Sequence, residues 1–188
     1  HIYKDMDPIK DSLTYDDVLL APKYSEILPS DTIIETKLST NLSLKIPIIS
    51  SAMDTVTESS MAIEIAKLGG IGVIHRNLNI KDQISQIRKV KSKNLKVGAA
   101  VGAGQFEIKR AEALIKERID LIVVDTAHGH TKKVSEIVKK INRLKSKKTT
   151  LCAGNIATLE AAKFLAKLGV DVIKVGIGPG SICTTRLV

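Results

Sequence analysis

The chain has no tryptophan, and its aromatic residues amount to two phenylalanines and three tyrosines among 188 residues. A core must therefore be assembled from Val, Ile, Leu and Ala, the composition of parallel sheets covered by helices. The same scarcity removes the stacking platforms on which single-stranded nucleic acid is held. Cysteine is scarce too: Cys152 and Cys183 allow one disulfide at most, which excludes a secreted disulfide scaffold. No apolar run approaches the roughly 20 residues that a membrane-crossing helix needs, and no cleavable leader opens the sequence. These absences point to a reducing, cytoplasmic compartment.

What is present is a hydrophobic content of 44%, a charged content of 26% and a formal net charge of +9. That balance reads as a soluble globular chain long enough to bury a sizeable core. A basic chain can meet nucleic acid, a membrane surface or small anions, and the placement of the charge decides more than its total. Many lysines fall in KKVSEIVKKINRLKSKK at 132–148, where Val134, Ile137, Val138, Ile141 and Leu144 recur at helical spacing. The basic residues then form the solvated face of an amphipathic helix. With no binding module and no aromatic stacking residues in view, no nucleic-acid partner is expected, and no membrane partner.

Along the chain a short apolar strand, a polar or glycine tip and an amphipathic helix recur about every 25 residues. Strands are expected at 46–51, 71–75, 96–101, 121–125, 151–155 and 173–177. Helices are expected near 58–68, 80–92, 105–117, 131–146 and 158–168, with Asn79, Thr131 and Thr158 as N-caps and Gly69 and Gly169 as stops. Segment 32–38 reads as a further short strand that closes the lower end of the domain. This pattern predicts parallel βαβ units, arranged either as an open doubly wound sheet or as a (β/α) barrel.

Polar residues at the strand ends favour the barrel, whose reactive groups sit at the C-terminal ends of its strands. Ser50 and Ser51 close the first strand, His75 the second, Asp125 the fourth and Asn155 the fifth. A doubly wound sheet would gather its ligand at one switch point. The simpler reading of such residues, as helix caps and turn formers, stands beside the functional one. After the sixth strand the chain reads IKVGIGPGSICTTR at 173–186. Gly176, Gly178 and Gly180 let the backbone approach a ligand, and Cys183 sits on the irregular loop beyond them. This is either a covalent centre beside a phosphate or a glycine-rich turn with an incidental thiol. Cys152, inside an apolar strand, reads as a buried core residue. His75, His128 and His130 have no zinc-ligand spacing to the cysteines and read as solvent-facing loop histidines.

Seven segments together resemble the inosine-5′-monophosphate dehydrogenase family: LTYDDVLLAP at 13–22, IPIISSAMDTVTE at 46–58, GGIGVIHRN at 69–77, VGAAVG at 97–102, VVDTAHGH at 123–130, AGNIAT at 153–158 and GIGPGSICTTR at 176–186. They cover most of the chain in the family's order. The last is shared with the guanosine-monophosphate reductases, but His128-Gly129-His130 and the SSAMDTVTE stretch are similar to the dehydrogenase pattern. An NADPH-dependent reductase and a non-catalytic nucleotide-binding fragment are the alternatives.

The resemblance implies an α/β TIM (β/α)8 barrel, of which about six of eight units are written here in a single catalytic domain, with the remainder of the polypeptide beyond Val188. It implies oxidation of inosine monophosphate (IMP) with NAD. Cys183 is the implied nucleophile and Thr185 supports water activation, while the hydrolytic base lies outside these residues. Ser51 and Ser181 would hold the phosphate, and Met53 and Asn155 the base and ribose region. Asp125 and Thr126 would meet NAD, with Gly176, Ile177 and Gly178 on its nicotinamide side. A potassium ion would be held by backbone carbonyls of Gly178, Gly180 and Cys183. A homotetramer is the implied assembly. The pair of regulatory modules that most family members insert is absent, replaced by a short join at about 91–96.

Overall fold

A computed structural model describes residue 13 and residues 17–177, and these divide into a unit up to Thr32 and a unit from Ile33 to Ile177. In the first unit a 3-10 turn spans Pro29–Asp31, with proline's fixed φ at its start. The Tyr24 hydroxyl donates to Glu26 3.0 Å away.

The second unit opens with an antiparallel hairpin, β1 (Thr36–Ser39) and β2 (Leu42–Leu44). The order is then β3 (Ile49–Ser50), α1 (Ser59–Lys67), β4 (Ile71–Ile74), α2 (Ile80–Lys91), β5 (Gly98–Val101) and α3 (Gln105–Lys116). It continues with β6 (Leu121–Asp125), α4 (Lys132–Leu144), β7 (Thr150–Ile156), α5 (Leu159–Lys167) and β8 (Val172–Val175). Strands β3 to β8 form one sheet in strictly sequential order, and every neighbouring pair is parallel. A doubly wound sheet must reverse its order at a switch point, and this sheet never does. Curled as a half-barrel with a helix after each of its first five strands, it is an incomplete TIM barrel.

The helices start where their caps dictate. The side chains of Asn79, Thr131 and Thr158 accept from the backbone N–H groups of Asp82, Val134 and Ala161 at 2.8, 3.3 and 3.2 Å. Gly69 and Gly169 end α1 and α5 at φ +99° and +77°, a region that disfavours any residue with a Cβ. Strand β3 is shorter than the expected 46–51, because Pro47 can donate no ladder hydrogen bond.

Two apolar layers hold the sheet. On the outer face Ile74, Ala99, Val101, Ile122, Val124, Leu151 and Ala153 pack against helix residues such as Ile87, Leu114, Val138, Ile141 and Leu165. On the inner face Ile71, Val73, Ala100, Leu121, Val123 and Cys152 form a second cluster with Leu42 and Leu44 of the hairpin. The alternation within each strand follows from the period of two of a β-strand. Burial of Leu42 and Leu44 contributes about 1.5–3 kcal/mol each. The hairpin is also tied to the segments that precede the strands. Ser39 Oγ lies 2.7 Å from Thr150 Oγ1, Asn41 Nδ2 donates to Lys147 O at 2.6 Å, and Lys45 N to Gly69 O at 2.9 Å. The segment expected to close the lower end is therefore the first arm of a hairpin, whose second arm carries the buried leucines.

Candidate functional site at the strand ends

Because the six strands run the same way, their C-terminal ends line one edge, the position of the reactive groups in barrels of this kind. At that edge Asp125, Gly154 and Lys174 are register partners across β6, β7 and β8. They share strand parity with Val123, Cys152 and Val172, so they belong to the inward row. Gly154 contributes no side chain, and Lys174 reaches across it to place Nζ 2.8 Å from Asp125 Oδ1. The backbones are equally close: a Cβ at Gly154 would collide with Lys174 O and lie 2.7 Å from Lys174 Cβ.

The neighbouring residues lock this corner. Thr126 donates through both N–H (3.0 Å) and Oγ1 (2.8 Å) to Gly154 O, and Asn155 N donates to Thr126 O at 2.8 Å. Asn155 Nδ2 donates to Gly176 O at 2.8 Å, which leaves the amide's own oxygen for another partner. Gly129 donates to Asn155 O at 2.7 Å, and a Cβ there would come within 3.0 Å of β7 backbone, so only glycine fits between His128 and His130. Gly176 adopts φ +122°, a conformation for which glycine is the default residue, and among the described residues no atom lies within 4 Å of a Cβ built on it. Ile177, at the end of the described residues, is exposed.

On the same C-terminal side, at the β3 end of the strand order, Ser51 and Met53 follow β3 and are exposed. Thr57 is fully buried beneath them. Its hydroxyl donates to Ser51 O at 2.6 Å and lies 2.9 Å from Ser50 Oγ. Met53 N also donates to Ser51 O, at 2.9 Å. An inner-face cavity of about 220 Å³ joins the two ends of the sheet, with Ser50, Ser51, Val123, Cys152 and Lys174 among its walls.

His75 corrects an expectation. His128 and His130 are exposed, but His75 is 3% exposed. Its burial is possible because both ring nitrogens are engaged: Nε2 lies 2.9 Å from Glu58 Oε1, and Nδ1 accepts from Asn77 N at 3.2 Å. An acceptor role at Nδ1 assigns the proton of the neutral ring to Nε2. Cys152 is the buried core residue expected of it, and burial pushes its thiol up to about 12.

The structure thus brings Asp125, Thr126, Asn155 and Gly176 into one corner and sets Ser51 in the cavity wall, with Met53 two residues beyond it. Ser181, Cys183, Thr185, Gly178 and Gly180 lie outside the described residues. Among the described residues no three His, Cys, Asp or Glu side chains gather as metal ligands, and no helix is long and apolar enough to cross a membrane.

Sequence reasoning missed three side chains. Lys174 was detectable from its parity with Asp125 in an otherwise apolar strand. Thr57 gave no signal. Gln83 on α2, wholly buried, donates from Nε2 to His75 O and Ala100 O at 3.0 Å each, and its Oε1 accepts from Arg110 Nη1 at 2.9 Å. Pairing between β4 and β5 is registered only at Val73↔Gly98 and Ile74↔Ala99, and Gln83 satisfies the carbonyls just beyond it.

A model of the family described as IMP dehydrogenase / GMP reductase domain matches residues 12–188. Among curated proteins, an inosine-5′-monophosphate dehydrogenase of Borreliella burgdorferi is 43% identical over 95% of this chain and 56% of its own length. One of Cryptosporidium parvum is also 43% identical, over 94% of this chain and 54% of its own. One of Aquifex aeolicus is 32% identical, over 96% and 63%. The chain thus spans about half the length of the curated relatives it matches.

Proposed function

The chain belongs to the IMP dehydrogenase / GMP reductase family, and from that premise we propose that the full-length protein oxidises IMP to xanthosine monophosphate with NAD, in guanine nucleotide synthesis. The observation that carries this reading is the Asp125–Gly154–Lys174 row beside the Asn155–Gly176 bond. It places a partly exposed carboxylate and an amide oxygen at the foot of the segment that leads to Cys183.

In this reading the Cys183 thiolate adds to C2 of the purine and the hydride leaves C2. Water then adds at the same carbon and the thiol departs, so one carbon is first oxidised and then hydrolysed. NAD, when bound, supplies the hydride acceptor. Asp125 fits a cofactor ribose: its side chain is 26% exposed, and one ion pair leaves further lone pairs for vicinal hydroxyls. Thr126, whose own proton is committed to Gly154 O, can still accept. Gly176, Ile177 and Gly178 would line the nicotinamide side. Ser51 with Ser181 would take the phosphate, Met53 and Asn155 the base and ribose, and Thr185 the water.

The same reading assigns a potassium ion to the carbonyls of Gly178, Gly180 and Cys183, a homotetramer, a cytoplasmic location and a barrel completed by the rest of the polypeptide. The join between α2 and β5, from Lys91 to Gly98, supports a domain without inserted regulatory modules. The test is direct. The full-length protein, given IMP and NAD, forms NADH and xanthosine monophosphate in equal amounts. Ammonia release from guanosine monophosphate with NADPH consumption, and no NADH formation, would establish the reductase instead.

A further inference from the structure

The loop from Ser51 to Glu58 carries both β3-side substrate residues, yet only Thr57 of it is buried. Apolar packing therefore does little to order it, and its polar contacts must. Within the loop, Ser51 O accepts from Met53 N and from Thr57 Oγ1, and Met53 O accepts from Val56 N and Thr57 N at 3.0 Å each. Two side-chain contacts cross to the end of β4. Glu58 Oε1 meets the buried His75 Nε2 at 2.9 Å, and Asp54 Oδ2 accepts from Asn77 Nδ2 at 3.0 Å.

Asn77 serves both anchors, because its backbone N–H donates to His75 Nδ1 and so fixes the tautomer that offers Nε2–H to Glu58. Glu58 occupies the N-cap position of α1 without making a cap bond. The first N–H of that helix, on Ser59, is instead satisfied by Gln86 Oε1 of α2 at 2.9 Å. The glutamate carboxylate is thus committed to the histidine rather than to its own helix.

We propose that His75 and Asn77 are positioning residues, which pin the Asp54 and Glu58 ends of this loop and thereby hold Ser51 and Met53 in register for the nucleotide. The nucleotide part rests on the function proposed above. Neither residue touches the reacting atoms in this account. Their effect is on nucleotide affinity through loop order, with no reach to the Asp125 corner on the far side of the cavity.

The test uses the full-length protein with Glu58→Ala, Glu58→Gln and the exposed Asn77→Ala. Glu58→Ala and Asn77→Ala are expected to raise KM for IMP about tenfold, the equivalent of one charge-assisted hydrogen bond. Both should leave kcat and KM for NAD within about twofold, because only ground-state placement of one substrate is lost. Glu58→Gln keeps an oxygen for His75 Nε2–H and restores KM. An unchanged KM for IMP in both alanine variants, or an equal loss in all three constants, overturns the proposal.

Hydrogen exchange at the amides of residues 51–57 provides a readout that needs no nucleotide. Exchange should quicken by about tenfold in both alanine variants, and unchanged exchange refutes the clamp itself. Failure of the unsubstituted protein to turn over IMP while exchange responds as stated would refute the assigned function and leave the clamp standing.

Discussion

Gly154→Ala perturbs the site without removing any functional group. The added methyl carbon would sit 2.7 Å from Lys174 Cβ and closer still to Lys174 O. Carbon atoms pack at about 3.5–4.0 Å, so β8 must withdraw from β7 by about 1 Å. The bonds that flank the contact, Asp171 N to Leu151 O and Gly176 N to Ile156 O, are both 2.8 Å long. A withdrawal of that size takes them to about 3.8 Å, beyond hydrogen-bond range. The Asn155–Gly176 bond, also 2.8 Å, moves with them. Overpacking of this kind costs about 1–3 kcal/mol, or a Tm loss of about 2–12 °C for a domain of this size. The larger effect is on activity. Misplacement of a reactive segment by about 1 Å can lower the rate about a hundredfold, and β8 leads directly into the segment that carries Cys183. Steady-state NADH formation should therefore show kcat lowered about a hundredfold, with the circular dichroism spectrum retained. Gly104→Ala is the control, since a Cβ at Gly104 meets nothing within 4 Å, and its activity should stay within about twofold. A Gly154→Ala variant as active as that control would refute the close-approach argument.

Lys174→Met removes the partner of Asp125 while keeping the bulk of the strand. A partly exposed ion pair is worth up to about 1 kcal/mol, so KM for NAD should rise about two- to fivefold, and an unchanged KM would show that Asp125 is held without it. Cys152 should resist iodoacetamide in the folded protein at pH 8, where a thiol pushed up to about 12 has a thiolate fraction of only about one in ten thousand. The reagent should label it only after urea unfolding, as peptide mass spectrometry would show. Arg88 hydrogen-bonds both oxygens of Glu117, at 2.9 and 2.6 Å, and holds that carboxyl below its usual range. A lowered carboxylate pKa stabilises the fold above the ordinary value and is lost as pH falls through the folded value. Glu117→Gln should accordingly lower Tm at pH 7, with the effect shrinking below the ordinary carboxylate pKa of about 4.3 and vanishing only once pH is below the lowered folded value. Equal Tm losses at both pH values would contradict the linkage.

The periodicity of the chain contains most of the fold. Six apolar runs, five amphipathic segments and the capping residues Asn79, Thr131 and Thr158 place the elements close to their ends, because each boundary is set by a local signal. The choice between barrel and doubly wound sheet was less exposed to local reasoning, since strand order is a tertiary fact. The buried Leu42–Leu44 strand escaped notice for a related reason. Three residues of alternating leucine carry too little pattern to announce a strand whose place is fixed by the sheet above it. At the site, the residues with distinctive chemistry at strand ends were visible, and those that act through partners far along the chain were not. Lys174 matters because Gly154 lies between it and Asp125, and His75 is buried because Glu58 and Asn77 satisfy it. Such relations depend on register and burial, and neither is written in a single segment.

The proposed oxidation turns on covalent chemistry at Cys183. Acid quench of the full-length protein during turnover with IMP and NAD, followed by peptide mass spectrometry, tests it most directly. The account predicts a purine nucleotide adduct on the peptide that contains Cys183, lighter than IMP plus peptide by the hydride transferred and the thiol proton released, and absent when NAD is omitted. Steady NADH formation by a Cys183→Ala variant, or an adduct carried on Cys152, would contradict it.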